Sequence, residues 1–158
     1  IGFAILTVGA QCVGAGDYEQ VSYYTKKLIK IVYVSLVAAN ILVVLAVPFI
    51  IEIYGLSPEA SQYAHKILIY HSICAVTIWP LSFSLPNTLR AAADVTYTMI
   101  LSIISMWVFR IGFSVVLGVY LHMGVFGVWV AMTIDWLFRA ICFVIRYLRG
   151  KWKHAALV

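Results

Sequence analysis

Apolar residues in this chain fall into long runs separated by short polar connectors. A first run, Ile1 to Val13, is short. Four more follow at about 31–54, 67–89, 97–120 and 125–147, each of a length able to cross a hydrocarbon core of about 30 Å. The pattern predicts an all-α membrane protein: a helical bundle of four full transmembrane helices plus the end of a fifth. The connectors carry helix punctuation. Gly14 to Asp17 is a turn, with Asp17 as N-cap and Gln20 three residues on in a capping-box pattern, followed by a basic helical start at Lys26, Lys27 and Lys30. Gly55 to Glu59 is a second turn, with Ser57 as N-cap and Pro58 as first helical residue. Ala91 to Thr96 is a third, with Asp94 capping the next helix. Pro48 should kink or loosen its helix, and Pro80 with Pro86 should break theirs. Ser114 with Gly118, and Ser35 with Ala39, are small-xxx-small pairs that permit close helix packing.

Composition sharpens this picture. Apolar residues make up 64% of the chain and charged residues only 11%, where a soluble domain has about half and a quarter. The net charge of +5 is gathered at the ends of apolar runs, so it implies membrane lipid as a partner and no nucleic acid. Cys12, Cys74 and Cys142 are far apart, with no metal-ligand spacing, and read as small packing residues. No nucleophile elbow, zinc motif or phosphate loop is present, so no enzyme, metal or cofactor is expected. Ile1 to Ala10 resembles the tail of a span, so the chain is expected to be a fragment missing its N-terminal part.

The basic residues also set the orientation. Lys26, Lys27, Lys30, Arg90, Arg146, Arg149, Lys151 and Lys153 fall on one side and only Lys66 on the other. That asymmetry predicts a multi-pass protein of the cell (inner) membrane with a cytoplasmic C-terminus. Tyr147 and Trp152 suit an interfacial aromatic belt.

Three ionisable residues lie inside the last two runs. Counted outward from the connector Leu121 to Gly124, Arg110 and Asp135 sit at matching depth, about 18 Å along their helices. Charges there rarely face lipid. The expectation is that these two pair, either as a coupling element or as a structural clamp between the helices. Arg139, four residues after Asp135, either snorkels toward the cytoplasm or completes a three-member cluster. Glu52 and Lys66 are equally spaced about the external turn and are expected to pair near the outer interface. His71, Trp79 and Asn87, with Ser82 and Ser84, share a broad helical face. That face either lines a cavity for an aromatic, cationic substrate or holds helices together.

The stretch Gln11-Cys-Val-Gly-Ala-Gly-Asp-Tyr-Glu19 resembles the Gly-Gln-x-x-Gly-Ala-Gly-Asp-x-Glu stretch of multidrug and toxic compound extrusion (MATE) transporters. Leu89-Arg-Ala-Ala-Ala-Asp-Val-Thr96 resembles their Leu-Arg-Gly-Ala-Gly-Asp-Thr turn. Ser105 to Arg110, Gly124 to Trp136 and Arg146 to Trp152 resemble the last two helices and the basic end. The resemblance implies a twelve-helix, two-lobed antiporter, of which this chain covers part of the second lobe. The end of helix eight falls at 1–13, helix nine at 31–54, helix ten at 64–89, helix eleven at 97–120, helix twelve at 125–147 and a cytoplasmic tail at 148–158. It implies export of drugs or organic cations by alternating access, coupled to H+ or Na+, with the missing N-terminal lobe as partner. Where the family has glycines at the Ala91 to Ala93 turn, this chain has alanines, which predicts a more helical backbone there. Some sodium-coupled members use carboxylates on helices seven and ten. Ile67 to Leu89 contains none, so proton coupling through first-lobe residues is the alternative. Two other readings stand beside this one: a lipid-linked saccharide flippase of the same superfamily, and a non-transporting membrane scaffold.

Overall fold

The computed structural model describes residues 1–153; the end of the expected tail, 154–158, lies outside the described residues. The elements are helical: α1 (Gly2–Gly14), α2 (Tyr18–Tyr54), α3 (Pro58–Thr77), α4 (Leu85–Ala91), α5 (Val95–Ser105), α6 (Phe113–Val115) and α7 (Gly124–Leu148). Widened π turns at Pro80–Ser84, Met106–Gly112 and Val116–Tyr120 join α3 to α4, α5 to α6, and α6 to the last connector. Three continuous helices are long and apolar enough to cross a membrane: Tyr18–Tyr54, Val95–Tyr120 and Gly124–Leu148. The bent pair α3–α4 makes a fourth if it is one span.

Local chemistry accounts for the ends of these helices. Asp17 Oδ1 accepts the Gln20 amide at 3.0 Å, opening α2. Gly55, at φ 56°, closes it in the left-handed conformation that glycine adopts without penalty. Ser57 Oγ accepts the Ala60 amide at 3.3 Å, and Pro58 occupies the first turn of α3, where a missing N–H costs nothing. Helix α2 runs through Pro48 as one element, whereas α3 and the Pro80–Ala91 segment diverge by 55°. Proline at position 80 removes a donor and crowds the preceding turn. The widened turn that follows is held by the Ser82 hydroxyl, which donates to the Trp136 carbonyl of α7.

Side chains from α2, α4, α7 and the tail meet in a buried cluster of Val21, Leu85, Leu89, Ala92, Phe143 and Trp152. Trp152 is only 1% exposed. Its indole N–H donates to the Tyr147 carbonyl at 2.9 Å, and its ring stacks on Tyr147 at 5.5 Å. Trp152 is therefore a core residue and not a member of an interfacial belt: the turn at Gly150, φ 67°, folds residues 151–153 back onto the bundle.

Two further expectations are corrected here. The Ala91 to Ala93 turn is not more helical for lack of glycine. Ala93 is held at φ 63°, so the backbone keeps a left-handed turn. Asp94 sits at the N-cap position of α5 but makes no capping bond. Its carboxylate instead accepts two bonds from Arg146, at 2.8 Å from Nε and 3.1 Å from Nη2. That bidentate geometry ties the start of α5 to the end of α7.

Gly127 permits a close approach of backbone to backbone. A Cβ there would meet the Leu117 backbone at 2.8 Å. Lys66 forms no ion pair with Glu52; its ammonium lies 5.4 Å over the Phe126 ring.

Candidate functional site

Helix α7 is 25 residues long, about 37 Å, and Asp135 lies near its middle. An isolated carboxylate at that depth is expensive to ionise. Here Asp135 is 0% exposed, and Arg139, one turn later on the same face, is 8% exposed. Arg139 Nε and Nη2 donate to Oδ1 and Oδ2 of Asp135, both at 2.9 Å. The Ser105 hydroxyl, at the end of α5, also donates to Oδ1. The carboxylate thus has a matched cation and a neutral donor from a second helix, which is how a buried ion pair is made tolerable.

Arg110 does not join this group. It is exposed, and its Nη2 lies 3.3 Å from the Met132 sulfur. Matching depth for Arg110 and Asp135 requires about 1.5 Å of rise per residue throughout. Between Met106 and Tyr120 the helix is wound in π turns, with i→i+5 bonds and more residues per turn. Those turns advance less per residue and shift the facing positions, so Ser105 comes level with Asp135. Arg139 is equally not a snorkelling residue, because its guanidinium is turned back onto the carboxylate inside the bundle.

An aromatic cluster borders the ion pair. The Arg139 guanidinium carbon lies 5.6 Å over the Phe83 ring. Phe83 stacks on Trp79 at 5.2 Å and meets Trp136 edge-on at 5.9 Å. His71 is wedged edge-on between Trp129, at 5.1 Å, and Trp136, at 5.6 Å. His71 Nδ1 and Trp136 Nε1 are buried without a hydrogen-bond partner among the described residues, an uncommon condition for polar atoms.

His71 and Trp79 are thus brought to the ion pair through Phe83 and Trp136. Asn87 is not. Its Nδ2 donates to the Phe83 carbonyl at 3.3 Å, its Oδ1 accepts from Arg90 at 3.2 Å, and it faces Gly2 of α1. An open groove of about 460 Å³ runs between α2 and α3, past Asn40, Ser72 and Thr77; His71, Trp79 and Asn87 are not in its lining. Ser105, Phe83 and Trp136 escaped the sequence reading. A lone serine in an apolar run, and aromatic residues four apart from Trp79 or next to Asp135, were the available signals. Among the described residues, no three His, Cys, Asp or Glu side chains gather as a metal site.

The family model described as MatE matches residues 1–116. The chain is 25% identical, over all of its length, to the "Probable multidrug resistance protein NorM" of Thermotoga maritima, of which it covers 34%. It is 24% identical, over 82% of its length, to the "Probable multidrug resistance protein YoeA" of Bacillus subtilis, of which it covers 28%. The chain therefore spans about a third of the length of these curated relatives. No solved structure matches it.

Proposed function

The chain belongs to the MatE family, and on that footing we propose that it is part of the second lobe of a cation-coupled antiporter that exports drugs or organic cations by alternating access. The observation that carries this reading is the buried carboxylate of Asp135, held near the middle of α7 by Arg139 and Ser105 beside an aromatic wall. The names of the two relatives support export of drugs as the activity.

Asp135 is the coupling group in this proposal. While Asp135 is ionised, Arg139 is neutralised and the two helices stay joined through Ser105. When the carboxylate takes up a proton, or exchanges Arg139 for a sodium ion, the guanidinium needs another environment. The face of Phe83, already 5.6 Å away, provides one. The pair is thus a two-state element whose balance a transported cation can bias. His71 and Trp136 offer ring nitrogens without a partner among the described residues, and Trp79 and Phe83 offer stacked rings. The central cavity forms against the N-terminal lobe, with the basic connectors and the C-terminus on the cytoplasmic side of the inner membrane.

The test is ethidium efflux from cells producing the intact protein. Efflux should stop when the proton or the sodium gradient is collapsed. Efflux that persists with both gradients collapsed would overturn the proposal.

A further inference from the structure

A long groove opens on another face of the bundle, between α2, the widened turn after Pro80, and α7. One part, about 510 Å³, is lined by Ile29, Leu81, Leu85 and Val144, with Lys26 and Lys30 beside them. Leu81 and Val144 also line an adjoining groove of about 300 Å³ that continues to Ile78 and Leu137. From Tyr147 to Leu137 along α7 is about 15 Å, half of a hydrocarbon core of about 30 Å. The combined groove therefore has the depth of one leaflet.

Its chemistry is graded along that depth. Lys26 and Lys30 are one helical turn apart, both exposed, and neither has an acidic partner among the described residues. Both lie at the end where α2 begins and α7 finishes. The deeper lining, from Leu81 to Leu137, carries no charged residue. Tyr147 lines the lysine end, and its hydroxyl is buried without a partner among the described residues. Paired cations at the lysine end and an apolar trough one leaflet deep are complementary to a phosphodiester with an acyl chain.

We propose that this groove is a binding site for one anionic phospholipid, its phosphate against Lys26 and Lys30 and an acyl chain lying along Leu81 and Val144 toward Leu137. The proposal needs only a membrane-embedded protein and stands apart from the transport reading.

The intact protein in detergent is titrated separately with phosphatidylglycerol and with phosphatidylcholine of the same acyl chains, and the first lipid bound is followed by native mass spectrometry. At about fivefold per lysine, the first phosphatidylglycerol should bind roughly 25-fold more tightly than phosphatidylcholine. Replacing both exposed lysines (K26Q/K30Q) should bring the ratio close to one. Leu81→Trp, which fills the trough and leaves both lysines, should weaken the first binding of both lipids; Val144→Phe serves the same purpose if Leu81→Trp does not fold. A ratio near one in the unaltered protein, as when the other lobe covers the groove, overturns the site. So does a preference that survives K26Q/K30Q, or one that a filled trough leaves untouched.

Discussion

Asp135 and Arg139, one turn apart on α7, close on each other through two bonds of 2.9 Å, and the carboxylate of the pair is fully buried. Two charges therefore share one face of one helix, and the contact to the neighbouring helix is left to a neutral hydroxyl, Ser105. Breaking such a pair from one side is costly because the remaining charge stays buried. Asp135→Leu should destabilise the intact protein by about 3–5 kcal/mol, whereas Asp135→Leu with Arg139→Met should recover most of that loss. Denaturant unfolding in detergent measures both; equal losses in the single and double variants would refute the coupling.

Ala93 holds a left-handed backbone at φ 63° with a side chain that disfavours it. Ala93→Gly should stabilise the protein by about 1 kcal/mol, since the relief of about 1–2 kcal/mol exceeds the added entropy of the unfolded chain. A lowered thermal midpoint for this variant would show that the turn is not strained.

Gly127 lets α7 approach the Leu117 backbone, which cannot move aside as a flexible side chain can. Gly127→Ala should cost about 1–3 kcal/mol through overpacking. The Gly14→Ala substitution meets nothing within 4 Å and serves as the control. Unfolding midpoints of the two variants should differ in that order.

Trp152 closes the buried cluster beneath α4 and α7. Trp152→Ala should cost about 3–5 kcal/mol and expose the tail after Leu148 to protease, while Trp152→Phe retains part of the packing. Limited proteolysis reads this directly: a tail equally resistant in the alanine variant would contradict the burial.

The helices, their caps at Asp17 and Ser57 and the bend near Pro80 were legible in the sequence because each depends on residues close in the chain. The pairing of charges was not. Matching Arg110 to Asp135 needs a uniform helical rise, and the π turns at Met106–Gly112 and Val116–Tyr120 break it with no proline to announce them. Asp94 has the sequence neighbours of a cap, but its partner, Arg146, is 52 residues away and meets it only through packing of α5 on α7. The place of Trp152 beside basic residues points to the membrane interface, whereas a turn at Gly150 sends it inward. Glu52 and Lys66 were joined by symmetry about a turn, but Lys66 lies on the Phe126 ring instead.

The most direct test of the central claim is gradient-driven accumulation of ethidium in inverted membrane vesicles containing the intact protein, compared with the uncharged polar pair Asp135→Asn/Arg139→Gln. The substituted protein should insert and remain folded, yet lose at least tenfold of the accumulation that an imposed proton or sodium gradient drives. Accumulation at the unaltered rate, with the same dependence on the gradient, would show that the buried pair holds helices together and takes no part in coupling.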